Sequence, residues 1–206
     1  MFITFEGIDF CGKSTQVELL KNYLISKNEK VHLIREPGGT EISEKIRDIL
    51  LDKRHNSMVM ETEIFLFSAS RAQLVREIIR PYLNKGFYVI SDRFHDSSTA
   101  YQGFGRGLPV DSILNIHKLA IGDTIPDITF ILDIPIEVAL ERKAKKNHSD
   151  LDRIEVSDNS FYHRVRDGYL KLAEKEKRFR VLNGTLSIEN INEQIVNEIK
   201  LLEGAA

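Results

Sequence analysis

The stretch Gly7-Ile8-Asp9-Phe10-Cys11-Gly12-Lys13-Ser14 constrains this chain more than any other. It fits the pattern G-x-x-x-x-G-K-[ST], follows an apolar run at Phe2–Phe5, and opens an amphipathic segment. A buried strand, a tight loop and a helix are expected in that order, the context in which such a loop holds phosphate. Its glycines let the backbone wrap so that successive amide N–H groups point inward, and the helix N-terminus adds the positive end of its dipole. Lys13 would reach the β- and γ-phosphates, and the Ser14 hydroxyl would ligate Mg²⁺. The expected triphosphate-binding set is Gly7, Ile8, Asp9, Phe10, Cys11, Gly12, Lys13, Ser14 and Thr15. A glycine-rich turn that matches by chance is the alternative. Strand, spacing and helix in register argue against it.

The rest of the chain repeats the strand–helix alternation. Apolar runs at Phe2–Phe5, Val31–Ile34, Phe87–Ile90, Ile128–Leu132 and Phe179–Leu182 are nearly continuous rather than alternating, which suggests strands buried on both faces. Val17, Leu20 and Leu24 share one side of the first helical segment. Ile188, Ile191, Ile195, Ile199 and Leu202 stripe the last, behind Ser187 as a plausible N-cap. This is the pattern of a doubly wound α/β domain with a parallel sheet, in which ligands gather at the carboxyl ends of the strands. The polar oddities fall at those ends: Glu6 to Ser14, Arg35 to Thr40, Asp92-Arg93, and Asp133.

Composition adds bounds. A chain of 206 residues suits one domain, and its net charge of −2 gives no global attraction to nucleic acid or to membranes. The single cysteine, Cys11, excludes an internal disulfide framework and fits a reducing compartment. With no charged-then-apolar leader and no apolar run long enough to span a bilayer, a cytoplasmic protein is expected.

Several groups outside the phosphate loop carry chemistry. Asp92, at a strand end, is a candidate to hold Mg²⁺ together with Ser14; the alternative is a surface pair with Arg93. Arg93 and Arg71 offer planar forks suited to anions, which hints at a second phosphorylated ligand. Phe67 lies four residues before Arg71, so on a helix the ring and the guanidinium share a face that could stack on and hydrogen-bond a base. Plain core is the competing explanation for Phe67. The stretch Asp96 to Gly107 offers hydroxyl and amide groups that could read a base edge or a sugar. Pro37 stiffens a second strand-end turn and is a candidate for a cis bond. From Glu141 to Arg166 the chain is rich in Arg, Lys and His. A charge run is ordinarily a solvated helix face. Beside a triphosphate loop, Lys143–Arg153 reads instead as a basic lid that closes over the site.

In sequence order the motifs are Gly7–Ser14, Arg35-Glu36-Pro37-Gly38-Gly39-Thr40, Phe67-Ser68-Ala69-Ser70-Arg71, Asp92-Arg93-Phe94, Ser97-Ser98-Thr99-Ala100-Tyr101-Gln102-Gly103 and Leu151-Asp152-Arg153-Ile154-Glu155. Together they resemble the bacterial thymidylate kinase family, from the first strand to the C-terminal helix. The resemblance implies a P-loop NTPase-type, doubly wound, five-stranded parallel sheet with helices on both faces. It implies one domain over residues 1–206, a lid at about 143–153, and a homodimer. It implies the reaction ATP + dTMP → ADP + dTDP with Mg²⁺, on the way to dTTP, with ATP and dTMP the only partners besides a second copy. By the same resemblance, Asp9 would contact the sugar 3′-hydroxyl, Phe67 would stack on thymine, and Arg71 would bond the base. Ser97, Ser98 and Gln102 would lie nearby, Tyr101 would pack against C2′, and Arg35 and Arg93 would hold the monophosphate. Gly184-Thr185 would lie near adenine. Lys13, Arg93, Arg142 and Arg153 would be the catalytic cations. Phe10 stands where one class of the family has arginine, so the chain resembles the class whose arginine sits in the lid, here Arg153. The bulky Phe10-Cys11 pair departs from the small residues usual there. Cys11 would be either an inert packed thiol or one activated by the helix N-terminus.

Overall fold

The computed structural model describes residues 1–145 and 151–204. Five strands among them, β1 (Phe2–Glu6), β2 (Val31–Arg35), β3 (Tyr88–Asp92), β4 (Ile128–Asp133) and β5 (Phe179–Asn183), form one all-parallel sheet ordered β2-β3-β1-β4-β5. Each expected run becomes a strand because Val, Ile and Phe fill a pleated surface well. The two-sided burial expected of all five holds for β1 and for most of β3 and β4. It fails at the edges: β2 is mostly half-buried and Val181 on β5 is exposed, because an edge strand has a neighbour on one side only.

Helices cover both faces. On one, α1 (Lys13–Ser26) and α9 (Ile188–Gly204) pack together, burying Val17, Leu20 and Leu24 with Ile191, Ile195 and Ile199. Ser187 caps α9 as expected, its Oγ accepting from Asn190 N–H at 3.2 Å. Ile188 departs from the expected stripe. Its carbonyl is held by Gln16 Nε2 at 3.0 Å while its side chain is half exposed on the first turn. A second apolar cluster, Phe2, Ile34, Leu74, Val75, Ile79, Val89 and Phe94 among it, lies beneath α3 (Met60–Leu74) and α6 (Val110–Ile121). The remaining helices are α2 (Glu41–Leu51), α4 (Arg80–Asn84), α5 (His95–Ser98), α7 (Ile136–Lys143) and α8 (Asn159–Ala173).

The path after β3 positions the site. Arg93 turns the chain through a left-handed φ of 72° into α5, and residues Thr99–Gly105 follow as π-helical turns, an uncommon conformation that recurs at functional sites. A buried fork anchors α5 to the sheet: Arg178 donates to both Asp96 oxygens at 2.7 and 2.8 Å and to Thr129 Oγ1 at 2.6 Å. The π-helical turns lie against α8, where Gly105 meets Phe161 and Val165 and Gly168 meets Phe104.

That packing leaves no room for a methyl group, since a Cβ on Gly105 would lie 2.6 Å from the Phe161 ring and 2.8 Å from Val165. Gly105→Ala is expected to destabilise the fold by about 1–3 kcal/mol through overpacking, read as a lower urea midpoint. An unchanged midpoint would mean that α8 can retreat at no cost.

Candidate active site

The loop between β1 and α1 wraps as its glycines allow. Gly7 has a φ of 133° and Gly12 of 102°, and a Cβ on Gly7 would lie 2.6 Å from the Leu132 carbonyl oxygen. Phe10 also adopts a left-handed φ, 66°, at some conformational cost for a bulky residue. Cys11, next along the loop, is buried. Helix α1 starts without a side-chain cap or an acidic residue in its first turn, so its leading amides remain for an anion. Lys13 is folded onto the loop itself: Nζ donates to the carbonyls of Gly7 at 3.2 Å and Ile8 at 2.9 Å and lies 3.5 Å from Cys11 Sγ. Thr15 follows on the exposed side of α1. Ser14 Oγ donates to Asp92 Oδ2 at 2.8 Å, so the two expected metal ligands stand together at the loop mouth. A hydroxyl and a carboxylate are hard oxygen donors of the kind Mg²⁺ takes beside phosphates, and the pair fits that ion.

Beside the loop opens a cavity of about 270 Å³, lined among others by Asp9, Arg35, Phe67, Arg71, Arg93 and Tyr101. Arg93 stands between the two. Nη1 donates to the Gly7 carbonyl at 2.9 Å, Ser97 Oγ at 3.1 Å and Tyr169 Oη at 3.2 Å, and Nη2 to Asp9 at 2.5 Å and Tyr101 Oη at 3.0 Å. Its guanidinium also lies 4.9 Å from the Tyr101 ring centroid. Burial pushes the Asp9 carboxyl up, but the charges of Arg93 and Lys13 and the Tyr101 hydroxyl hold it below the usual carboxylate range. Tyr162 Oη, which the sequence gave no reason to single out, also donates to Asp9, at 3.2 Å.

Under Arg93 lies Glu6, noted in the sequence only as a polar residue at a strand end. It accepts from Phe94 N–H at 2.7 Å, Ser97 Oγ at 2.6 Å and Tyr169 Oη at 2.8 Å. Burial, then the neighbouring Asp96 charge, raise its pKa to about 6 against the pull of Arg93. Ser97 therefore spends its hydroxyl on Glu6 and Arg93, as support for the cleft wall. A carboxylate ending a buried strand was the available signal.

At the far end, Arg71 is the largest fully buried side chain. Nε donates to Glu36 Oε2 at 2.7 Å, and Nη2 to Ser98 Oγ at 3.0 Å and the Phe94 carbonyl at 3.3 Å. Nη1 of Arg71 and Oε1 of Glu36 have no protein partner, although both residues line the cavity. A buried donor and a buried acceptor without partners mark a place for a polar ligand. Burial raises the Glu36 pKa to about 7 despite Arg71. Phe67 is buried, packs with the core and lines the cavity, so its ring is core and cavity wall at once. Gln102 lines it too, its Nε2 donating to Glu63 Oε1 at 2.8 Å. At the rim, Arg35 donates to the Pro37 carbonyl at 3.0 Å and to Glu44 at 3.0 Å. Arg47, missed in the sequence because it sits mid-helix on α2, meets the same carbonyl at 2.8 Å. The Glu36–Pro37 bond is cis.

The basic segment divides. Of the expected lid, residues 146–150 lie outside the described residues. Arg142 bridges the loop to the last strand, donating to the Phe10 carbonyl at 3.1 Å and the Gly184 carbonyl at 3.3 Å. In this structure Arg153 reaches to α2 and α3. Its Nη2 pairs with Glu63 at 2.6 Å and its Nε donates to the Leu50 carbonyl at 2.8 Å. A guanidinium committed to a buried carboxylate is a brace between lid, α2 and α3. Arg166 likewise forms a bidentate pair with Asp133, at 2.6 and 2.8 Å.

Residues 5–195 match the family profile described as Thymidylate kinase. A thymidylate kinase of Thermosipho africanus is 50% identical over 195 residues, 95% of either chain. One of Kosmotoga olearia is 47% identical over 202 residues, covering 98% of this chain and 96% of that one. Among solved structures, a thymidylate kinase from Ehrlichia chaffeensis superposes with a TM-score of 0.78 at 36% identity, over 97% of this chain and 98% of that one.

The Glu36 pKa, raised from 4.5 to about 7, has a stability consequence. Across that window the folded chain binds more of this proton than the unfolded chain does, so the Glu36 contribution to stability is lost as pH rises. Glu36→Gln, which does not titrate, is expected to gain stability relative to the parent between pH 4.5 and about 7 in urea titrations. A pH-independent difference between the two proteins would show that Glu36 titrates normally.

Proposed function

The chain belongs to the thymidylate kinase family, and we propose how the groups of this cleft divide the phosphorylation of dTMP to dTDP by ATP. The ATP tail lies on the loop Gly7–Ser14, Thr15 included, with Gly184-Thr185 near adenine. The dTMP lies in the cavity, with Phe67 against the thymine face and Arg71, Ser98 and Gln102 around its edge. Asp9 takes the sugar 3′-hydroxyl, and Tyr101 closes on C2′. Arg35, Arg47 and Arg93 hold the monophosphate. One observation carries this reading: a single guanidinium, Arg93, touches both the phosphate loop and the walls of the second cavity.

A dTMP phosphate oxygen attacks the γ-phosphorus of ATP, a new P–O bond forms as the β,γ-bridging P–O bond breaks, and ADP leaves. The nucleophile is already anionic, so the work is positioning and charge neutralisation. Lys13 leaves the loop carbonyls for the transferred group, Arg93 bears on it from the acceptor side, and Arg142 from the donor side. Ser14 and Asp92 would hold Mg²⁺ beside the phosphates, and the ion would supply charge neutralisation there. Arg153, braced in this structure against Glu63 and Leu50, is the lid arginine that adds positive charge to the transferred group. The enzyme is cytoplasmic on this reading, and no helix among the described residues is long and apolar enough to cross a membrane. It works as a homodimer through the α2–α3 side, where Ile42, Ile49 and Phe65 are exposed on packed helices.

Presenting dTMP, dUMP, dGMP and thymidine in turn with Mg-ATP tests the assignment, with ADP release expected to be fastest for dTMP; fastest release with thymidine would make this a nucleoside kinase. Arg71→Ala is expected to lower kcat/KM for dTMP by roughly 10²-fold, since a site built to bond a base edge loses that contact, with the KM for ATP unchanged. The reverse pattern would remove Arg71 from the base site. Phe65→Asp is expected to sediment as a monomer where the parent sediments as a dimer; an unaltered dimer would move the interface elsewhere.

A further inference from the structure

Gln102 belongs to the cavity wall, yet the group that decides which way its amide faces lies outside that wall. Glu63, on α3, is buried, and its Oε1 accepts from Gln102 Nε2 at 2.8 Å. Two further cations bear on the same carboxylate, Arg153 Nη2 at 2.6 Å and Arg106 Nε at 3.3 Å. Burial pushes the Glu63 carboxyl up, but Arg106, the Gln102 amide and Arg153 together hold it below its usual range, so it is ionised near neutrality. An ionised carboxylate only accepts hydrogen bonds. The end of the Gln102 amide that faces it must therefore be the NH₂ end, and the carbonyl oxygen is the end left for the cleft. Arg71, whose Nη1 has no protein partner, can only donate. The two side chains then offer a fixed pair, one donor and one acceptor.

We propose that Glu63 is a positioning residue for base selection: it locks the Gln102 amide so that the pocket takes a base with an imide N–H beside a carbonyl and rejects one with a bare ring nitrogen beside an exocyclic amine. The inference rests on the reading of this cavity as the dTMP site. Thymine and uracil share the favoured edge, and cytosine presents the rejected one. Without the lock the amide can turn over and meet the cytosine ring nitrogen with its N–H. The 5-methyl group, which separates thymine from uracil, is not touched by this device.

The test compares the parent with Glu63→Gln, Gln102→Leu and the double variant, using kcat/KM for dTMP and dUMP and the inhibition constant of dCMP against dTMP. Glu63→Gln is expected to shrink the preference for dTMP over dCMP by about tenfold, the scale of one misdirected buried hydrogen bond. The dTMP-to-dUMP ratio and the KM for ATP are expected to hold. Added to Gln102→Leu, Glu63→Gln is expected to change the preference no further, because it acts through Gln102. An unchanged preference for dTMP over dCMP, or additive effects in the double variant, would overturn the proposal by making Glu63 a general brace. Gln102→Leu with unaltered constants for all three nucleotides would overturn the reading of the cavity instead. Should Glu63→Gln fail to fold, Glu63→Asp keeps the charge for Arg106 and Arg153 but draws back from Gln102, and the same expectations apply to it.

Discussion

The position of one guanidinium governs the organisation of this molecule. Arg93 is charged, largely buried and placed where a phosphate loop and a nucleoside-sized cavity meet. A buried cation is tolerated only when its donors are matched and a counter-charge is near. Asp9, the Gly7 carbonyl, Ser97, Tyr101 and Tyr169 supply those matches, and Glu6 supplies a second layer beneath. The left-handed turn at Arg93, the π-helical turns after it and the close packing of α8 can all be understood as what holds these acceptors around one fork. Removing one partner from such a set leaves charge unmatched, so the network behaves as a unit.

The sheet and the loop were legible because they rest on local signals. Continuous apolar runs become parallel strands, and the spacing of Gly7, Gly12, Lys13 and Ser14 admits few structures. Asp92 beside Ser14, and Phe67 on the same helix face as Arg71, followed from strand ends and helical period. What stayed hidden depends on contacts between residues far apart in sequence. Glu6 to Tyr169, Glu36 to Arg71 and Glu63 to Gln102 are such pairs, and no local pattern announces them. Arg153 is a further case. A basic run beside a triphosphate loop suggested a cation over phosphate, and in this structure the arginine also meets a buried carboxylate, a partner that only the fold brings near.

The cleft also carries more buried acid than its chemistry calls for. Glu6, Glu36 and Glu63 each lie within hydrogen-bond reach of a residue of the cavity wall, and each is paired with a group that must keep a set orientation. Burial raises the first two, whereas cations hold the third down. This division suits a site whose walls must be rigid while its ligands come and go, because carboxylates fix donors by accepting from them without competing for the substrate.

The posture of Lys13 bears on how the donor enters. In this structure its ammonium is spent on the carbonyls of its own loop. An incoming triphosphate therefore displaces an internal ligand instead of occupying bare charge, and nucleotide capture becomes an exchange of partners. Tightness on the donor side is then governed by how willingly the loop gives up its own lysine, and residues that shape the loop, Phe10 and Cys11 among them, acquire a say in that affinity.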